Sequence, residues 1–128
     1  MLVNSFSNHF SVQLRESQKQ KNEIIQRNYN HIYAHEMAHK TVGGSFAGAI
    51  TITKNADGIP VSGNVPIKMP VLDKKDPQKT IDHANIVIKA AMAPGDPSPQ
   101  DFNVAAQAAT IKSQAEKLKL GSKLNLYV

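Results

Sequence analysis

Between Leu14 and about Lys40 the chain has neither glycine nor proline, and Ile25, Tyr29, Ile32 and Glu36 recur at the spacing of one helical face, with Ile24 and Tyr33 beside it. That pattern predicts a long helix. Thr41 to Gly44 closes it, because Gly43 and Gly44 provide the permissive backbone that a helix stop or a close backbone approach requires. The period then changes. Phe46 to Thr53 is rich in β-branched residues, AsnAlaAspGly at 55–58 is a turn signal, and Ile59 to Met69 alternates while carrying Pro60 and Pro66. A β-hairpin is expected there, its second strand at an edge, since proline cannot donate to a central ladder.

Helical spacing returns after Asp76, which reads as an N-cap followed by proline at the first helical position. Ile81, Ala84, Ile88 and Ala91 keep one stripe until Ala93 meets Pro94 and Gly95. Ser98, Pro99 and Asp101 repeat the start signal, and Val104, Ala108, Ile111, Ala115 and Leu118 form a second stripe that ends near Gly121. Stripes this short and rich in alanine suit a packing face better than a dimer seam. The ProGlyAspProSerPro run at 94–99 reads as a rigid corner between these two helices.

The expected architecture is therefore α+β: a long helix, a β-hairpin and two further packed helices, with the hairpin near the long helix. Residues 1–13 lack clear periodicity and are expected to form a loose N-terminal arm, residues 14–121 a single domain, and residues 122–128 a C-terminal tail. At 128 residues one core is the natural expectation, and with 5% aromatic residues it must be built mainly from aliphatic side chains and alanine.

Charge and cysteine content narrow the function classes. The absence of cysteine excludes disulfides, thiolate metal sites and a thiol nucleophile. A net charge of +5 invites acidic partners, yet the basic residues are spread along the chain without aromatic interleaving, so a solvated basic surface is expected and not a nucleic-acid interface. No segment approaches a membrane span, and no basic start leads into an apolar stretch of signal-peptide length. A cytoplasmic location is the default expectation, with export lacking such a signal left open. The pattern specifies no oligomeric state.

The candidate chemistry lies near the end of the long helix. His35, Glu36 and His39 spell HExxH, and residues four apart on a helix stack on one face, so two imidazoles can reach one metal ion from adjacent turns. Glu36 lies about 100 degrees further round, beside the metal position without occupying it. A zinc ion there lowers the pKa of its water to about 7 and polarises a carbonyl, and the neighbouring carboxylate moves the proton. The bland alternative is a solvated helix face with two incidental histidines. The adjacent GlyGly turn and hairpin favour the site, since a strand beside the helix could hold an extended peptide by edge pairing.

His31 precedes His35 by one turn, but the outer histidines of the three are about 12 Å apart by helical rise, so His31 is expected at the surface or behind a ligand. His9 falls in the expected arm, and His83 at an exposed helix position. A catalytic zinc normally takes three protein ligands, and no HExxHxxGxxH continuation supplies the third. The candidates are Asp57, Asp73, Asp76, Asp82, His83, Asp96, Asp101 and Glu116. Glu116 sits among Lys112, Lys117 and Lys119, which suits a surface ion pair. Asp101 is preferred: it caps the first turn of the last helix, where a carboxylate can point from a rigid corner toward another helix.

These residues resemble the SprA-related family of small bacterial proteins. The similarity runs through HisGluMetAlaHis at 35–39, GlyGly at 43–44, AspGly at 57–58, GlyAsnVal at 63–65 and ThrIle at 80–81. It continues through AlaAlaMetAlaProGlyAspProSerProGlnAsp at 90–101 and ValAlaAlaGlnAla at 104–108. The resemblance implies a zinc metallopeptidase, an activity inferred for the family from its motif, and supports Asp101 as more than a cap. The family commonly carries Glu in a GlyGluVal segment where this chain has Asn64, with Lys68 where an acidic residue often follows. Asn64 can form hydrogen bonds but cannot act as a carboxylate base. The reading from sequence is thus a zinc peptidase acting on a peptide or protein substrate through Glu36-assisted attack of zinc-bound water. The alternative is a non-catalytic metal-binding or interaction module derived from one.

Overall fold

The computed structural model describes residues 2–125 and has an α+β architecture. Helix α1 runs from Leu2 to Gly43, β1 from Thr51 to Lys54, β2 from Pro60 to Asn64, α2 from Pro77 to Ala91, and α3 from Pro99 to Asn125. A short 3-10 turn at Gly44–Phe46 separates α1 from the hairpin.

In its second half α1 turns one face inward: Lys21, Ile25, Asn28, Ile32, Glu36, His39 and Gly43 are buried or half-buried at steps of three and four. The expected arm is instead the start of this helix. No glycine or proline interrupts residues 2–42, and once the packed half is formed each further residue adds a hydrogen bond without a new nucleation cost. The periodicity looked absent there because residues 7–20 are all exposed and carry no core face.

The two glycines that close α1 serve different purposes. A Cβ on Gly43 would lie 2.9 Å from the Ala47 Cβ and 3.1 Å from the Ile67 Cδ1, whereas Gly44 has φ +56, a left-handed conformation.

β1 and β2 pair antiparallel, from Thr51 opposite Asn64 to Lys54 opposite Pro60, with an irregularity at Thr53/Lys54. Both strands are shorter than expected. Pro66 has no N–H to continue the ladder, and beyond the gap only the Ala47–Ile67 bridge resumes it. The Asn55 side chain closes the hairpin turn by accepting from the backbone of Asp57 and Ile59. β2 lies against α1, where Asn28 donates to the Pro60 carbonyl at 3.1 Å.

Asp76 caps α2 and Pro77 occupies its first turn, as expected. The core forms where α2 meets α3: Ala84, Val87, Ala90, Ala108 and Ala115 are fully buried. Small side chains let the two helices approach closely at the cost of little buried apolar area per residue. α3 continues through Gly121, which faces open space; a glycine there costs about 1 kcal/mol relative to alanine and does not by itself stop a helix. Of the expected tail, residues 122–125 are therefore helical, and 126–128 lie outside the described residues. Among the described residues no helix is long and apolar enough to cross a membrane.

Candidate metal centre

α1 presents His35 and His39 on adjacent turns, their Nε2 atoms 3.2 Å apart. The third group arrives from the far end of the chain. Ser98 and Asp101 open α3 with a reciprocal cap: Ser98 N–H donates to Asp101 Oδ2 at 2.8 Å, and Asp101 N–H donates to Ser98 Oγ at 3.1 Å. This fixes the Asp101 carboxylate so that Oδ2 lies 3.2 Å from His35 Nε2 and Oδ1 lies 3.2 Å from His39 Nε2. One potential ligand atom from each of His35, His39 and Asp101 thus falls within 4.8 Å of the others.

The hydrogen bonds behind the rings decide what this cluster can hold. His39 Nδ1 lies 2.8 Å from the Ala90 carbonyl, which can only accept, so the proton sits on Nδ1 and a neutral His39 presents a lone pair at Nε2. His35 Nδ1 donates to Asp96 Oδ1 at 3.1 Å, with the same result. Two imidazole lone pairs and a carboxylate then converge with no hydrogen between them. Such an arrangement is repulsive unless a cation, a proton or a metal ion, occupies the centre. Orientation of each ligand by its outer nitrogen is also the usual support of a metal-binding histidine.

The SprA-related family profile matches residues 9–123. The chain belongs to the SprA-related family. No curated protein and no solved structure matches it. The matched span of this SprA-related chain contains every residue of the cluster.

Glu36 lies beside this cluster without belonging to it. It is 6% exposed, and β2 lies directly on it: a Cβ on Gly63 would be 2.7 Å from the Glu36 Cγ and 2.6 Å from the Ile32 Cγ2. Glu36 also lines a cavity of about 320 Å³ with His39, Gly63, Asn64, Asp101 and Val104. Burial pushes its pKa above the usual carboxylate value; His39 and His35 oppose that shift and Asp101 adds to it. At His35 burial disfavours the imidazolium, but the Asp96 hydrogen bond and the charges of Asp101, Glu36 and Asp96 outweigh it and raise the pKa. The same hydrogen bond lowers the pKa of Asp96.

The other candidates fall elsewhere. His31 is exposed and stands 3.4 Å from Asp96 Oδ2, behind His35 and outside the ligand cluster. His9 is exposed on α1. Asp57 lies in the hairpin turn, Asp73 accepts from backbone N–H groups before α2, Asp76 accepts from the Lys79 N–H in the first turn of α2, and Asp82 accepts from Gln78. Glu116 is 3.9 Å from Lys112, the expected surface pair. His83 is half-buried instead of exposed, stacked on Phe46. Asp96, Ala90 and Gly63 were not given their roles by the sequence; the signal for Asp96 was an acid held in the proline-rich corner before Asp101.

Proposed function

We propose that this SprA-related protein is a zinc-dependent metallopeptidase, with His35, His39 and Asp101 as the metal ligands and Glu36 as the general base. The observation that carries the reading is the convergence of two imidazole nitrogens and a carboxylate beside a buried carboxylate and a cavity. Two imidazoles and a carboxylate are a zinc-type donor set, and three protein ligands leave a four-coordinate ion one open position. Bonds of 2.0–2.1 Å in a tetrahedron separate neighbouring ligand atoms by about 3.3 Å. The two Nε2 atoms here are 3.2 Å apart, and each lies 3.2 Å from a different oxygen of Asp101, Oδ2 for His35 and Oδ1 for His39.

Zinc, when bound, supplies a Lewis acid that polarises a carbonyl and acidifies water. The chain's own residues do the rest. Glu36, with its raised pKa, takes a proton from the attacking water and gives it to the amine as the C–N bond breaks, so the carboxylate is regenerated. The Asp101 cap and the Asp96 and Ala90 contacts keep the donor atoms in place.

A second reading has one observation in its favour. Asn64, where the family resemblance leads one to expect Glu, lines the same cavity as Glu36, so a carboxylate is absent from the cavity wall at that position. A non-catalytic metal-binding module would retain the cluster and lack turnover.

Elemental mass spectrometry of the purified protein, followed by peptide cleavage, separates the readings. About one zinc per chain, lost in the His35→Ala/His39→Ala double variant, is expected. Glu36→Gln should keep the zinc and abolish cleavage. Zinc without cleavage of any peptide in a mixed library would leave the module, and no zinc would remove both readings.

A further inference from the structure

A concave surface larger than the cavity at Glu36 lies beside α2. It is a groove of about 940 Å³ between the chain entering α2 and the outer face of that helix. Its apolar lining comes from Phe46, Met69, Val71, Leu72 and Ile86, and Val71 is 79% exposed. An aliphatic side chain held this far into solvent beside other apolar groups marks a contact surface more than an element of the core.

Three bonds from side chains to the backbone preform the groove. His83 Nε2 donates to the Lys68 carbonyl at 2.8 Å while its ring stacks on Phe46. The Thr80 hydroxyl donates to the Val71 carbonyl at 3.0 Å and accepts from Asp73 N–H at 2.8 Å. A ligand therefore meets walls that are already ordered, and less conformational entropy is lost on binding.

The charges around the groove have one net direction. Lys68, Lys74, Lys75 and Lys79 line it, and among the described residues none has an ion-pair partner. Asp73, Asp76 and Asp82 line it as well and keep their charge, since their partners are neutral backbone N–H groups and the Gln78 amide, so the four lysines exceed the aspartates by one. The positive end of the α2 dipole lies at the same place. An anionic ligand with apolar side chains complements this surface. Nucleic acid fits less well, because Phe46 is already stacked on His83 and the remaining apolar lining is aliphatic, leaving no series of platforms for bases.

The groove also borders the metal site along the chain. Gly63 to Ile67 line the cavity at Glu36, and the next residues, Lys68 and Met69, begin the groove wall. A single segment thus borders both.

We propose that this groove is a docking site for an acidic peptide segment bearing large aliphatic side chains. That the segment belongs to the substrate rests on the peptidase reading; the binding itself does not.

The test uses the metal-free full-length protein and a fluorescently labelled peptide of alternating Glu and Leu, read by anisotropy. Binding is expected, weakening as salt is raised, and at least ~10-fold weaker when Lys replaces Glu in the peptide. Lys74→Glu/Lys75→Glu should weaken it by ~10-fold or more with an unchanged circular dichroism melt, and Val71→Ser should weaken it without altering charge. The His35→Ala/His39→Ala variant should bind the peptide like wild type, so loss of the metal site and loss of the groove are separately visible. Equal binding of the Lys peptide, no effect of both groove variants, or equal competition by an oligothymidylate would overturn the proposal.

Discussion

Asp101 accepts the Ser98 N–H at 2.8 Å with the same carboxylate oxygen that lies 3.2 Å from His35 Nε2. One side chain therefore starts a helix and completes the candidate metal cluster. The two roles can be separated experimentally. Asp101→Asn keeps an amide oxygen for the cap but removes the charge that offsets a metal ion. Its metal-free melting temperature should stay near wild type while zinc affinity falls steeply. Ser98→Ala should do the reverse in part, costing about 1 kcal/mol of stability through the lost cap and loosening the carboxylate. Calorimetric melts beside zinc titrations read both. If the Asp101→Asn protein binds zinc like wild type, Asp101 is a cap and nothing more.

Asp96 stands one step behind the candidate ligands. Its Oδ1 holds His35 Nδ1 at 3.1 Å, and its carboxylate is 62% exposed, so little packing depends on it. Asp96→Asn can still accept a hydrogen bond but no longer supplies the negative charge. Zinc affinity should fall by roughly 10- to 100-fold, the usual effect of losing such a partner, with little change in the metal-free melt. Competition against a chromophoric chelator measures this. His31, which touches only the other oxygen of Asp96 from the surface, should tolerate alanine with a much smaller effect.

The pH dependence should reverse when zinc is added. His35 and Glu36 both have folded pKa values raised above the ordinary 6.5 and 4.5. A raised value means that the protonated group favours the fold. The stabilisation is complete below the unfolded values and is lost as pH rises through the folded ones. Asp96, with its lowered pKa, has the opposite sign and loses its contribution only under acid, as pH falls through its folded value. The metal-free melting temperature should therefore decline from mildly acidic toward alkaline pH. Zinc requires the His35 lone pair, so the increment it adds should grow over the same range. Parallel melts with zinc and with a chelator across that range check the opposed slopes; slopes of the same sign would remove the His35 assignment.

What could be read in advance depended on how local the determining contacts are. His35 and His39 share a face through helical spacing alone, and the Asp76–Pro77 and Ser98–Asp101 starts are written within four residues. Asp101 was reachable because its cap put it at a rigid corner; its approach to α1 depends on how α3 docks. The Asp96 contact to His35 spans 61 residues and has no local signature. The first turns of α1 carry no periodic signature for a different reason: periodicity reports a buried face, and residues 7–20 have none. The hairpin was visible from its turn and alternation, but its length was set by Pro66, whose missing N–H interrupts the pairing near Gly48.

Gly63 links the hairpin to the candidate base and offers a test of Glu36 that leaves the ligands intact. A methyl group at position 63 would lie 2.6 Å from the Ile32 Cγ2 and 2.7 Å from the Glu36 Cγ. Ile32 is β-branched and stiff at χ1, so Glu36, with its rotatable chain, is the group that gives way. Gly63→Ala should cost about 1–3 kcal/mol through overpacking. It should also move the carboxylate away from the cavity. Zinc content should remain near one per chain, because His35, His39 and Asp101 are untouched, while peptide cleavage falls by roughly 100-fold, as expected when a reacting group is displaced by about 1 Å. Undiminished cleavage in a destabilised Gly63→Ala protein would show that Glu36 is not the base, since its position would then have no bearing on turnover.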